Sequence, residues 1–203
     1  MIYNFISALC RLPSPTLARF MVIACVSCIL AVPSAAQQQP PGPGFTLTSP
    51  ALIDGGALPD DLKCTRDGGD GLSPPLAWSN VPPEAAGFAI VMHHYPHGTY
   101  PGVNAPSQYW LVWNIPADAE GVSRGNLESL GIEGSDKDTR ATGYTPPCSP
   151  AGGATHEYTI WVYALNAPLE NLPSDDSIDV DWADVMAALD GHILDATSLT
   201  FMN

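Results

Sequence analysis

The chain has 203 residues, of which 21 are acidic and only seven are lysine or arginine, so its formal net charge is −14. Proteins that bind nucleic acid without sequence preference neutralise phosphates with lysine and arginine, and this composition excludes that function. The same excess of negative charge disfavours electrostatic docking on anionic membranes.

The first 36 residues have the pattern of a secretory signal peptide. Arg11 and Arg19 precede an apolar run of 13 residues, 20–32, and small residues follow at 34–36. A basic flank, a short apolar core and small residues at a cleavage site are typical of such a leader. The run is too short to span a bilayer comfortably. We therefore expect residues 1–36 to be removed and the protein to be secreted or periplasmic. The alternatives are a retained N-terminal anchor and lipoprotein processing.

The remainder is long enough for one domain with a sizeable core. Residues 37–44 are polar and rich in proline, so we expect a disordered lead-in there and one folded domain over 45–203. All 21 acidic residues follow residue 36, against five basic ones, which gives the mature protein a net charge of −16.

Short apolar runs separated by clusters of Gly, Pro, Asp and Asn predict a mainly β fold, a sandwich of short strands. The predicted strands are Phe45–Leu47, Phe88–Met92, Tyr109–Ile115, Tyr158–Leu165 and Ser198–Phe201.

One helix is predicted near the end of the chain. Apolar residues repeat at i, i+3, i+4 and i+7 between Trp182 and Leu189. Asp179 or Asp181 can cap its start, and Gly191 can end it.

Two cysteines, Cys64 and Cys148, follow the predicted leader. Exported proteins commonly oxidise such pairs, so we expect a disulfide between them. Two buried free thiols are the alternative, and the distance between the two Cα atoms decides between them.

Polar, ionisable rings stand at the ends of the apolar strands. The segment Ala89–His97 reads AIVMHHYPH, the segment Tyr109–Pro116 begins with a tyrosine, and His156 and Tyr158 lie two residues apart. Strands of a buried sheet that end in such rings commonly form a small-molecule pocket.

The most specific motif runs from Cys64 to Trp78 and reads CTRDGGDGLSPPLAW. It resembles the Cys, Asp-Gly, Asp and SPPLxW segment of the phosphatidylethanolamine-binding protein family, in its bacterial Raf-kinase-inhibitor-like branch. The resemblance extends from Phe45 to Phe201. Further matches follow in the family's order at Phe45–Pro50, Trp113–Asp118, Gly143–Cys148, His156–Tyr158, Val162–Leu165 and Asp190–Leu194.

This resemblance implies a β-sandwich of two antiparallel sheets with a few peripheral helices and a small anion pocket at one end of the larger sheet. It also implies a binding or regulatory protein without catalytic turnover and without a cofactor. Imidazole and phenol groups can both donate hydrogen bonds to a phosphoryl oxygen. The expected ligand-binding residues are His93, His94, Tyr109, His156 and Tyr158, rimmed by Asp70, Pro146 and Pro147.

Two differences from the family pattern affect the expected ligand. The segment His93–His97 replaces the family's D-P-D-A-P, and Tyr109 stands where a second pocket histidine is expected. Losing these carboxylates reduces repulsion of an anion and removes the acceptors that would hold an ammonium group. We therefore expect a phosphate-like or carboxylate head group as the ligand.

Two other functions fit the same residues. A metal-binding hydrolase could use the histidines 93, 94 and 97, with His93, His97 and His156 as the ligand set. A protease or kinase inhibitor could instead contact an unknown protein partner through the segment His97–Gln108. The sequence leaves the choice between monomer and homodimer open.

Overall fold

The computed structural model describes residues 44–125, 130–148 and 153–203. The predicted signal peptide and all but the last residue of the predicted lead-in lie outside these ranges, so both stay predictions. Within the described ranges, no helix is both long enough and apolar enough to cross a membrane.

The described chain contains nine β-strands, one α-helix and two short 3₁₀ turns. The helix α1 is Trp182–Leu189, and the 3₁₀ turns are Asp60–Leu62 and Thr65–Asp67. The strands are β1 (Thr46–Thr48), β2 (Gly56–Ala57), β3 (Leu76–Ser79), β4 (Gly87–His94), β5 (Ser107–Pro116), β6 (Gly121–Val122), β7 (Ile132–Glu133), β8 (Glu157–Leu165) and β9 (Ile193–Met202).

Two sheets form a sandwich. The small sheet has the strand order β1-β3-β6, and the large sheet has the order β2-β9-β8-β4-β5-β7. Neighbouring strands are antiparallel, except that the two-residue β2 pairs parallel with β9. The predicted mainly β sandwich is confirmed with this one exception. All five predicted strands are present, and the ladders extend beyond the apolar runs that indicated them.

The central strand β4 is buried on both faces, and its residues alternate between two cores. Phe88, Ile90 and Met92 belong to the core between the two sheets. Ala89 and Val91 belong to a second core, between the large sheet and α1. Successive side chains of a strand point to opposite faces, so this alternation decides where the histidines at the end of β4 go.

The helix packs on the outer face of the large sheet. Asp181 caps it by accepting hydrogen bonds from the backbone of Ala183 and Asp184, and the Asp184 carboxylate accepts one from the Asp181 backbone N–H. This reciprocal arrangement satisfies amide groups that the first helical turn leaves unpaired. It confirms the predicted helix and selects Asp181 as its cap. Gly191, two residues after the helix, has a positive φ of 77°.

Cys64 and Cys148 form the disulfide that the sequence analysis favoured, with their Cα atoms 5.3 Å apart. The backbone amide of Cys64 also donates a hydrogen bond to the carbonyl oxygen of Pro147, at 3.1 Å. The disulfide therefore joins the segment that precedes β3 to the segment that precedes β8.

Replacing both cysteines, in Cys64→Ala/Cys148→Ala, is expected to lower the free energy of unfolding by about 2–4 kcal/mol. The physical reason is that the bond closes a loop between residues 84 positions apart and so restricts the unfolded chain. Urea unfolding of the wild type and the variant, each with and without a reductant, measures this. Equal midpoints for the two proteins without reductant would contradict the expectation.

Candidate ligand-binding site

The ends of β4 and β8 place His94 directly opposite Tyr158. The two strands stay in register up to this pair, and the two ring centroids are 5.0 Å apart. His94 continues the row of β4 side chains that face the small sheet. Its imidazole therefore enters the inter-sheet layer, where it is only 7% exposed.

A β-bulge brings Tyr109 to the same place. The register between β4 and β5 shifts between Met92 and His93, and Tyr109 is the extra residue on β5. Bulges re-aim side chains. Tyr109 and Trp110 both lie in the inter-sheet core, which two successive residues of a regular strand could not do. The ring of Tyr109 lies 5.0 Å from that of Tyr158, edge to face.

His156 completes a cluster of four rings. Its backbone N–H and C=O both pair with Asn203, at 2.8 and 2.9 Å, which continues the ladder one residue before β8 begins. Its ring centroid is 4.8 Å from that of His94, and Tyr109 is 6.3 Å from His94. The strands thus bring together His94, Tyr109, His156 and Tyr158, which we call the ring cluster.

A cavity of about 330 Å³ opens beside the ring cluster, at the end of the large sheet. This volume lies within the range of small-molecule sites. Among the described residues, its lining includes His94 and His156 but neither Tyr109 nor Tyr158, which are buried behind them. The other lining residues are His93, Tyr95, His97, Pro101, Ala154, Thr155, Glu157 and Thr159.

One hydrogen bond sets the tautomer of His94. Its Nδ1 is 3.1 Å from the carbonyl oxygen of Glu157. A carbonyl only accepts, so Nδ1 carries a proton and donates it. In the neutral ring, Nε2 is then an acceptor, and it becomes a second donor only when the ring is protonated.

Burial lowers the pKa of His94, since a charged imidazole loses hydration there. The bond to the Glu157 carbonyl opposes this shift, whereas the positive charges of His156 and Lys137 lower the pKa further. A negatively charged ligand would relieve both effects. His94 is therefore harder to protonate in the empty site, and a bound anion makes it easier to protonate.

The Tyr109 hydroxyl keeps its proton. Burial raises the pKa of Tyr109, and its hydrogen bond to Tyr158 raises the pKa further because the Tyr109 hydroxyl donates that bond. Tyr158 is also stacked on Phe201, with ring centroids 5.3 Å apart. These contacts form a rigid wall behind His94.

His93 lies on the opposite face of the sheet from the ring cluster. Its ring meets that of Tyr95 edge to face, at 5.3 Å. Its Nδ1 is buried and makes no hydrogen bond within the described part of the chain. His93 does line the cavity that curves around the strand end, and its role as a ligand-binding residue stays a prediction.

Asp70 is engaged elsewhere. Its carboxylate contacts Nη2 of Arg124 at 2.7 Å and accepts a hydrogen bond from the Leu72 amide at 2.9 Å. Arg124 also contacts Asp61 at 2.6 Å. The Asp70 carboxylate therefore holds the loop before β3 in place, and its partners are Arg124 and Leu72 rather than the histidines.

Pro146 and Pro147 lie in a segment that is held beside Tyr109. The amide of Thr145 donates a hydrogen bond to the Tyr109 carbonyl, at 2.7 Å. The disulfide follows at Cys148. This segment is thus fixed to β5 on one side and to Cys64 on the other, and its contact with a ligand stays a prediction.

The alternative metal site is not formed. A search of the described residues for three ligand atoms within 4.8 Å of one another finds only Cys64, Asp67 and Cys148, whose cysteines are already joined to each other. The histidines 93, 97 and 156 do not form such a group, although all three line the cavity, and their sharing an ion stays a prediction.

Two residues near the site escaped the sequence analysis. Lys137 adds positive potential at His94. Tyr144 packs edge to face on Trp110 at 5.6 Å, and its buried hydroxyl has no hydrogen-bond partner in the described chain. Burial raises the pKa of Tyr144. Tyr144 could have been predicted as a site residue, because it lies two residues before the proline pair. The position of Lys137 in a polar loop gave no such indication.

The comparison with protein families agrees with this geometry. The family model described as phosphatidylethanolamine-binding protein matches residues 48–202. The chain belongs to the phosphatidylethanolamine-binding protein family. A UPF0098 protein of Methanothermobacter thermautotrophicus is 31% identical over 163 residues, covering 76% of this chain and 95% of the relative. A UPF0098 protein of Chlamydia trachomatis is 30% identical over 155 residues, covering 75% of this chain and 94% of the relative.

Two solved structures share the fold. A phosphatidylethanolamine-binding protein homologue from Chlamydia trachomatis superposes with a TM-score of 0.66 at 27% identity, covering 79% of this chain and 97% of its own. YbcL of Escherichia coli also gives a TM-score of 0.66, at 24% identity, covering 79% of this chain and 98% of its own. These likenesses support the ligand-binding fold of the family.

His93 is expected to make the protein less stable in mild acid. Burial lowers the pKa of His93 from 6.5 to about 4. Between these values the unfolded chain binds a proton that the folded chain refuses, so stability is complete above pH 6.5 and falls as the pH drops toward 4. We expect a loss of about 1–2 kcal/mol between pH 7.5 and 5 from this group.

Urea unfolding of the wild type and of His93→Gln at the two pH values measures this loss. The variant should show a smaller decrease, and His192→Gln, which changes a partly exposed histidine, should behave as the wild type does. A decrease of the same size in His93→Gln would show that other groups cause it.

Proposed function

We propose that the protein is an exported binding protein that holds a small phosphate-like or carboxylate anion between His94 and His156, without catalytic turnover. The observation that carries the proposal is the fixed imidazole of His94. Its Nδ1 is bound to a backbone carbonyl, and its ring is 4.8 Å from a second imidazole. An anion placed between two imidazoles can accept a hydrogen bond from each of them.

The electrostatics around His94 support an anion. His156 and Lys137 are the positive groups that act on it, and Tyr109 behind it keeps its proton. Two carboxylates are near. Asp138 acts on Tyr109 and contacts the Lys137 ammonium at 3.3 Å. Glu157 lines the cavity, but it follows the outward-facing row of β8 and lies on the other side of the strand from His156 and Tyr158.

Protonation of His94 turns its acceptor Nε2 into a donor, so anion binding should take up protons. Affinity is therefore expected to rise as the pH falls. A metal site would show the opposite trend, because acid protonates metal ligands. The comparisons favour neither the metal-dependent hydrolase nor the inhibitor.

Isothermal titration calorimetry with sulfate tests the proposal, because the charge of sulfate stays constant from pH 5.5 to 8. We expect saturable binding that strengthens toward pH 5.5. His156→Ala should weaken it at least about tenfold, the effect of losing one charge-assisted hydrogen bond. Inorganic phosphate and phosphorylethanolamine, titrated at one pH, then distinguish a free anion from a lipid head group.

His192→Ala is the matched control. This partly exposed histidine lies just after α1, where its Nδ1 is 3.1 Å from Oδ1 of Asn166. The control should bind sulfate as the wild type does. Equal affinity in His156→Ala, or binding that weakens in acid, would refute the proposed site.

A further inference from the structure

The outer face of the large sheet carries a second groove, separate from the ring cluster. It has a volume of about 470 Å³. The β8 residues Thr159, Trp161 and Tyr163 line it, and they alternate with the residues that face the inter-sheet core. The ring cluster and this groove therefore lie on opposite faces of the same strands.

The groove exists because the helix is too short to cover the sheet. An eight-residue helix is about 12 Å long, whereas the nine residues of β8 extend about 30 Å. Trp182 and Met186 of the helix form one wall. Trp161 pairs with Ser198 on β9. Because the serine side chain is small, the surface beside the indole is recessed.

Aromatic faces dominate the walls. Trp161 and Tyr163 are stacked at 5.9 Å with an angle of 19° between their planes. Tyr95 and Trp182 also contribute to the lining, and the ring of His93 meets Tyr95 edge to face at 5.3 Å. Burial lowers the pKa of His93 to about 4, so this imidazole is neutral at physiological pH.

The groove carries negative charge. Among the described residues that line it, Glu157 is the only charged side chain at neutral pH, and neither lysine nor arginine is present. The chain as a whole has a formal net charge of −14. An aromatic wall beside a carboxylate attracts cations, because the face of an aromatic ring is negative and the carboxylate supplies a counter-ion.

We propose that this groove, formed by Tyr95, Trp161, Trp182, Met186 and Glu157, binds a small organic cation with apolar substituents, such as an alkylated ammonium. The cationic group lies on the indole of Trp161, its apolar substituents contact Met186 and Trp182, and Glu157, four residues away on the same face of β8, supplies the negative charge. The groove adjoins the cavity beside the ring cluster, with which it shares Glu157 among its lining residues, whereas His94 and His156 line only that cavity.

The test compares two isosteric probes, 3-hydroxyphenyltrimethylammonium and the neutral 3-tert-butylphenol. NMR titration should show the cation binding at least about threefold more tightly, the size of one exposed cation–π contact. Its methyl protons should shift upfield, as expected for protons over an aromatic face. The indole N–H signals of Trp161 and Trp182 should move.

The remaining three tryptophans are internal references. Their indole N–H groups donate to protein oxygens: Trp78 to Ala119, Trp110 to Glu133 and Trp113 to Pro173. Their signals should stay in place. Movement of these three without Trp161 and Trp182 would overturn the assignment of the site, and equal affinity for the neutral phenol would overturn the assignment of a cation.

A charge-reversal variant tests the role of Glu157 in cation binding. Glu157 is exposed, so Glu157→Lys should fold, and it is expected to weaken cation binding at least about tenfold. Glu170→Lys changes the net charge by the same amount at another exposed position and should bind as the wild type does. An equal loss in both variants would show only a general field effect and refute a specific site. Saturating sulfate should leave cation binding unchanged if the two sites are independent.

Discussion

The period of two in a β-strand is the constraint on which the rest of this structure depends. Strand β4 is buried on both faces, and its side chains alternate between the inter-sheet core and the core under the helix. The same alternation separates His94 from its neighbour His93. One imidazole joins the ring cluster, and the other joins the aromatic groove. Adjacent residues of the same type thus acquire different surroundings.

Burial makes both imidazoles harder to protonate. The pKa of each is lowered because a charged ring loses hydration in the sheet. His94 has a bond from Nδ1 to the Glu157 carbonyl that fixes its orientation, whereas Nδ1 of His93 has no partner within the described chain. A buried polar atom without a partner is costly. Such a cost is commonly found where a protein keeps a residue for a reason other than stability.

Loops that carry few apolar residues are held around the site by covalent and polar contacts. The disulfide joins Cys64 to Cys148, and Arg124 contacts both Asp61 and Asp70. These contacts add to the core packing of Leu58 and Leu62 in the same part of the chain. Asp70 thereby helps to hold the loop before β3 in place.

The sequence by itself determined the fold class, five of the nine strands, the helix and the family. These features depend on local patterns: apolar runs between turn residues, helical spacing from Trp182 to Leu189, and a motif such as SPPLAW. It also identified three of the four rings of the cluster as strand-end residues, and Tyr109 through the family resemblance.

Only the tertiary structure decided which rings meet. The bulge at Tyr109 depends on how β4 and β5 pair, and pairing between strands leaves no mark in the local pattern of either one. The ion pair between Arg124 and Asp70 joins residues 54 positions apart. The aromatic groove depends on the length of the helix relative to the sheet. Each of these features depends on contacts between distant segments of the chain. Such contacts form only when the chain closes the loops between those segments.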